Sequence, residues 1–149
     1  MEERFETFTI LINRINRNIR KIKNQEMAAY NLKSIHVSCL YYLRLSGNLT
    51  AAELSERCEE DKAAVSRALD YLEREGYLEA PTKSPKRYKR PLVLTEKGEQ
   101  AGDVIVSKID QVLREVDDSL THDQREVFYQ NLTAISNRLD VIAQKSAQL

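Results

Sequence analysis

Apolar residues recur along this chain in different rhythms, and each change of rhythm marks a change of element. Near the N-terminus Phe5, Phe8, Ile12, Ile15, Ile19 and Ile22 follow one another at intervals of three and four. That spacing places one side chain per turn on a single stripe and predicts a helix over about 4–24. Arg, Asn, Lys and Thr fill its other faces. A seam so narrow suits one facing helix better than the middle of a core. A break is expected at Gln25–Asn31. The stretch 34–46 is apolar nearly all round, with Ile35, Val37, Cys39, Leu40, Tyr41, Tyr42, Leu43 and Leu45. Such a helix packs on several sides and belongs at the centre of a domain. Gly47 supplies a residue suited to end it.

The next start signal is a capping box. In Thr50-Ala51-Ala52-Glu53 the threonine oxygen and the glutamate carboxylate each satisfy a backbone N–H, and Leu49 and Leu54 occupy the staple positions around it. A short helix is predicted over 51–58. Asp61 then caps a third helix, 62–75, with Val65, Leu69 and Leu72 turned inward and Gly76 closing it. Beyond Gly76 the period shortens. Tyr77-Leu78-Glu79-Ala80 and Pro91-Leu92-Val93-Leu94 predict two short strands, with a turn-rich and then basic tip between them. Thr95 opens a long helical section whose stripe runs from Ala101 through Ile105, Ile109, Val112 and Val116 to Leu120. A second box, Thr121-His122-Asp123-Gln124, restarts the helix, and Phe128, Leu132, Ile135, Leu139 and Ile142 again recur at four and three.

Charge sharpens this picture. The formal net charge of the 149 residues is zero, which by itself argues against a polyanion partner. The charge is unevenly spread, however: residues 1–24 carry a net +3, 25–61 a net −3, 62–94 a net +4 and 95–149 a net −4. A basic middle inside a neutral total suits a local phosphate-binding surface. No apolar run is long enough to span a bilayer, and the first residues lack the basic start and apolar run of a secretory signal, so the cytoplasm is the expected compartment and no membrane partner is expected. The cysteines, Cys39 and Cys58, are far apart in sequence and have no zinc or redox-motif spacing. No phosphate loop, metal-ligand cluster or nucleophile–base set stands out, so no catalytic residue, metal or cofactor is expected.

A central helix, a short helix, a groove-sized helix and a basic hairpin, in that order, are the parts of a winged helix-turn-helix. The third helix fits the major groove of B-DNA, the second holds it at its angle, and the hairpin tip reaches along the backbone toward the minor groove. At this point the sequence resembles a known family. "LTAAELSERCEEDKAAVSRALDYLEREGYLEA", followed by the basic segment and "PLVLTEKG", is similar to the multiple antibiotic resistance regulator (MarR) family over roughly residues 32–102. The resemblance implies a dimerisation region built from both chain ends, a pseudo-palindromic operator and often a small phenolic or aromatic ligand that releases DNA. This chain departs from the family pattern in two places. Glu59-Glu60 stands where members often have glycine and an apolar residue, and Ala63-Ala64 where they often have Ser or Thr. The arginine of their frequent Asp-x-Arg wing pattern falls on Tyr88, which leaves Arg87 nearest and Arg90 second.

The resulting expectation is a mainly α fold with a small β-hairpin wing, the whole chain forming one unit. Within it a winged helix-turn-helix occupies 32–95, and 1–31 and 96–149 supply dimerisation helices. The DNA-facing candidates are Lys62, Ala63, Ser66 and Arg67 on the recognition helix and Lys83, Lys86, Arg87, Lys89 and Arg90 on the wing. The partners expected are double-stranded DNA and a second copy of the chain. That copy would meet this one through Phe5, Phe8, Ile12, Ile15 and Ile19 and through Phe128, Leu132, Ile135, Leu139 and Ile142. His36, Tyr41 and Tyr42 are candidates for lining a ligand cavity, although core packing or a satisfied hydrogen bond is the better account of them. Cys39 and Cys58 each fall with core positions of their own helix. A thiol sensor would need an exposed thiolate in a basic setting. The function expected is a homodimeric transcriptional regulator, a repressor in the first instance. A winged protein-interaction module without DNA binding and a thiol-based redox regulator are the alternatives.

Overall fold

The computed structural model describes residues 2–80 and 89–148, without the side chains of Glu2, Glu3 and Phe5. Among the described residues six α-helices follow one another: α1 Glu2–Glu26, α2 Ser34–Ser46, α3 Ala51–Cys58, α4 Lys62–Arg74, α5 Glu96–Asp117 and α6 His122–Ala147. A single 3-10 turn, Ala28–Tyr30, joins α1 to α2. The chain divides into two compact units, Met1–Lys108 and Ile109–Leu149, with α5 running through the boundary. No helix among the described residues is long and apolar enough to cross a membrane.

In the first unit α2 packs against α1, α3 and α4, as its all-round apolar surface demands. Val37, Cys39, Leu40 and Leu43 of α2 are buried together with Leu54 of α3, Val65, Leu69 and Leu72 of α4, and Ile105 of α5. Met27 and Leu32 are equally buried. They pin the break between α1 and α2, where Asn31 takes a left-handed conformation at φ 56° and ends the 3-10 turn. The helix expected over 4–24 runs two residues further at each end. The helix expected over 62–75 stops at Arg74, because Gly76 at φ 82° turns the chain and the Tyr77 N–H reaches back to the Leu72 carbonyl at 2.8 Å.

The predicted caps form as hydrogen bonds. Thr50 Oγ1 accepts from the Glu53 N–H at 3.2 Å while the Glu53 carboxylate accepts from the Thr50 N–H at 3.0 Å. Asp61 accepts from the Ala64 N–H at 2.7 Å. Thr95 links two helix ends at once, since its hydroxyl accepts from the Gly98 N–H at 3.1 Å and donates to the Gly76 carbonyl at 2.5 Å. Extended structure among the described residues amounts to one antiparallel bridge, Leu78–Leu94. It is flanked by Glu79 N–H to the Val93 carbonyl at 2.9 Å and Thr95 N–H to the Tyr77 carbonyl at 3.1 Å, while the Leu92 N–H bonds the Leu49 carbonyl at 2.8 Å. Of the two expected strands only this bridge is present among the described residues, and the residues between them lie outside the described set.

In the second unit Thr121 and Gln124 exchange bonds at 3.3 and 2.9 Å, which restarts the chain as α6. Arg125 donates to the Asp117 carbonyl at 3.0 Å and ties the start of α6 to the end of α5. None of the residues of α6 is buried.

Candidate nucleic-acid interface

The turn between α3 and α4 sets the pose of α4. Glu59 follows α3 in the left-handed region at φ 53°. This is where family members often carry glycine, so the backbone bend persists with a residue that pays about 1–2 kcal/mol for it. The Ser55 hydroxyl donates to the Glu60 carbonyl at 2.9 Å and closes the turn. Asp61 then caps α4, placing a carboxylate at the positive end of the helix dipole.

On α4 the inward face is Val65, Ala68, Leu69 and Leu72, all buried. The opposite face brings the sequence candidates together: Lys62, Ala63 and Arg67 are exposed and Ser66 is half-buried, with Asp70 exposed further along. Of the cations expected on a wing, Lys89 and Arg90 are exposed, while Lys83, Lys86 and Arg87 lie outside the described residues. A 13-residue helix is about 20 Å long, with a side-chain diameter near that of the major groove. Among the described residues, then, one solvent face carries a groove-sized helix with two cations and a hydroxyl.

The three ligand-pocket candidates separate. His36 stacks on Tyr71 of α4 with ring centroids 4.3 Å apart, and its Nδ1 accepts from the Lys33 N–H at 3.0 Å. Burial, followed by the Lys33 ammonium, pushes the His36 pKa below its ordinary value. Tyr71 in turn donates to the Asn31 carbonyl at 2.7 Å. Tyr41 and Tyr42 instead pack edge-to-face on each other at 5.3 Å, both half-buried. The dimerisation candidates stay largely uncovered. Ile12, Ile15 and Ile19 on α1 and Phe128, Ile135, Leu139 and Ile142 on α6 are exposed, and Phe8 and Leu132 are half-buried. The Phe5 side chain lies outside the described residues.

One grouping escaped the sequence reading. Cys39 and Cys58, treated there as separate core residues, act on each other: the neighbouring Cys58 and burial push the Cys39 thiol above its ordinary value. A usable signal was present. Cys39 lies seven residues before the last residue of α2, and Cys58 seven after the first residue of α3. Positions equidistant from the turn of a helical hairpin tend to face each other.

Comparison with known proteins agrees with this geometry. Residues 30–87 match the family model described as MarR family. The comparison with curated proteins gives no match. Among solved structures, a MarR family regulator from Neisseria meningitidis is 20% identical with a TM-score of 0.80, over 96% of this chain and 98% of that one. The Staphylococcus aureus MepR–DNA complex is 19% identical with a TM-score of 0.79, over 89% of this chain and 97% of that one. Staphylococcus aureus MarR in complex with salicylate and kanamycin is 17% identical with a TM-score of 0.78, over 93% of each chain. Over residues 30–87 the chain is similar to the MarR family, and the chain has the fold of the MarR family transcription regulators.

Proposed function

We propose that the chain is a homodimeric transcriptional regulator, a repressor, that grips a pseudo-palindromic duplex with two copies of α4 and two hairpin wings. The observation that carries this reading is the outward face of α4. Lys62 and Arg67 stand exposed on a helix of groove-filling size, with Lys89 and Arg90 exposed at the hairpin root. In this reading Arg67 meets base edges or phosphate, Ser66 donates or accepts a hydrogen bond, and Lys62 meets phosphate. The wing, completed by Lys83, Lys86 and Arg87, follows the backbone. The match of 30–87 to the MarR family and the likeness to a regulator solved with DNA support it.

Residues 32–95 form the reading unit in this proposal, and 1–31 and 96–149 the assembly region. The apolar faces of α1 and α6 favour a second copy as the occupant: Ile15 and Ile142 are 49% and 48% exposed in one chain. Each such side chain covered on assembly contributes about 1–2 kcal/mol. Two-fold pairing would set two copies of α4 about 34 Å apart, one helical turn of DNA. An aromatic or phenolic effector would act by binding the DNA-incompetent arrangement more tightly than the competent one. Tyr41 and Tyr42 are its candidate lining, since His36 is taken up by Tyr71 and the Lys33 amide. The proposed place of action is the cytoplasm.

The test is selection of bound duplex from a random pool, followed by titration of the winner against salt. A symmetric site of about 16–20 base pairs is expected, with affinity falling steeply as salt rises because each neutralised phosphate adds about 0.9 to the slope. Enrichment of no symmetric site, or a chain that stays monomeric at working concentration, would overturn the reading.

A further inference from the structure

The outward face of α4 has an order that charge alone does not explain. Successive residues of a helix stand about 100° apart around its axis. Val65, Ala68, Leu69 and Leu72 are buried, and the direction opposite to them falls on Ala63, Arg67 and Asp70, all exposed. Ser66 and Lys62 lie off this line, by about 70° and about 110°. The acids at the start of the helix are engaged within the chain: Asp61 accepts from the Ala64 N–H at 2.7 Å, and Glu60 meets Arg20 of α1 at 3.4 Å. The middle of the outward face therefore holds a methyl group and, one turn on, a guanidinium.

We propose that this line reads base identity: in each half-site Ala63 packs on the 5-methyl group of a thymine, and Arg67 donates to O6 and N7 of a guanine. The assignment rests on the duplex-binding reading above and deepens it. In the major groove thymine alone among the four bases presents a methyl group, and guanine presents two adjacent acceptors that match a planar fork of N–H donors. A methyl side chain neither donates nor accepts. Set against the amine or carbonyl of another base, it strips water from that group and leaves it unpaired. A serine hydroxyl at the same place can turn to meet either a donor or an acceptor. Ala63 thus narrows the choice of base where a hydroxyl leaves it open.

The spacing limits where the two bases stand. Ala63 and Arg67 are about 6 Å apart along the helix axis, against about 3.4 Å per base pair. The thymine and the guanine therefore fall within about three base pairs of each other. Lys62, on the flank of the line, is left for the phosphates that wall the groove. One buried methyl group is worth about a 4-fold change in affinity, and a bidentate arginine–guanine pair about 10-fold or more. The guanine thus sets the site and the thymine refines it.

The test uses the duplex enriched by the selection, resynthesised with deoxyuridine in place of single thymines. Uracil keeps every hydrogen-bonding group of thymine and lacks only the methyl. At one thymine per half-site the exchange should weaken binding of the full-length chain by about 4-fold for each half-site, and at the other thymines it should change nothing. Ala63→Gly should bind the thymine and uracil duplexes alike; the ratio is taken within one variant, so a lowered folded fraction cancels. Ala63→Ser, which suits the first turn of a helix, should admit other bases at that position when the selection is repeated. 7-Deazaguanine at the neighbouring guanine should cost the wild-type chain about 10-fold and Arg67→Ala nothing further. Enrichment of no duplex would overturn the DNA-binding reading and this one with it. An enriched duplex that tolerates uracil at every thymine, a uracil penalty that survives in Ala63→Gly, or a sensitive thymine and guanine more than about three base pairs apart would overturn this assignment alone.

Discussion

Gly98 offers the sharpest test of how the start of α5 is seated against Tyr77 and Leu94. A Cβ built at this position would overlap the Tyr77 backbone carbonyl oxygen and approach Leu94 Cδ2 to 3.1 Å. The Tyr77 carbonyl cannot swing aside as a side chain would, because it accepts from the Thr95 N–H at 3.1 Å beside the Leu78–Leu94 bridge. The Gly98 N–H itself bonds Thr95 Oγ1 at 3.1 Å. Gly98→Ala must therefore move the first turn of α5 away from the bridge root. Overpacking of this kind costs about 1–3 kcal/mol, and weakening the Thr95 bond to Tyr77 adds about 1 kcal/mol. The better helix propensity of alanine returns at most about 1 kcal/mol. The net expectation is a loss of about 1–3 kcal/mol. With a urea slope of about 2 kcal/mol per molar for a chain of this size, the midpoint should fall by about 0.5–1.5 M.

Circular dichroism during urea unfolding measures it, at matched protein concentration so that assembly does not enter the comparison. Gly102→Ala tests a second close approach of α5. There the added Cβ meets Arg44 Cβ at 2.8 Å and Cγ at 2.9 Å, atoms at the backbone end of that side chain, so α5 must shift from α2 and a loss is expected there too. A Gly98→Ala midpoint equal to or above wild type would refute the close seating of α5 on Tyr77.

Four further outcomes are expected. Asp61→Ala should cost about 1 kcal/mol in the same urea assay, since the Ala64 N–H loses its cap. Glu59→Gly should instead gain up to about 1 kcal/mol, because Glu59 sits at φ 53° and glycine relieves that strain; a loss there would mean that the Glu59 side chain contributes more than its backbone costs. His36 titrates below its ordinary 6.5 in the folded chain, so between those two values the unfolded chain binds the proton the folded chain refuses. Stability is then full above pH 6.5 and falls on acidification, and His36→Asn should flatten that part of a pH series of urea midpoints. Arg67→Ala should weaken duplex binding by about 1–3 kcal/mol, roughly 5- to 150-fold, in fluorescence anisotropy; unchanged affinity would remove α4 from the interface.

What could be read from the sequence was mostly local. The boxes at Thr50 and Thr121 and the cap at Asp61 involve residues three apart, and each forms as read. The core position of α2 was legible because its apolar residues leave no polar face, and it packs on three helices. The inward and outward faces of α4 followed from a single period, so its candidate residues needed no knowledge of the rest of the chain. The losses came wherever two distant segments had to be paired. Gly98 looked like part of a motif, yet its reason is a carbonyl 21 positions earlier. His36 was grouped with Tyr41 and Tyr42 by proximity in sequence, whereas the fold turns it toward Tyr71, 35 residues on.

The heptad-like stripes behave differently from both classes. Their spacing was plain, and yet α6 buries none of its residues and α1 leaves Ile12, Ile15 and Ile19 exposed. A period selected for burial but left exposed within one chain carries information about a surface that one chain does not supply. The same reasoning separates α4, whose exposed face is polar and basic, from α1 and α6, whose exposed faces are apolar. The first face suits a charged, hydrated partner and the other two suit a protein one. Substitution can set them apart: in the proposed homodimer, Ile15→Glu should abolish self-association while leaving the caps of α3 and α4 intact, and Arg67→Ala should leave it unchanged. If both substitutions acted on the same property, the division of the surface into a reading face and an assembly face would be wrong.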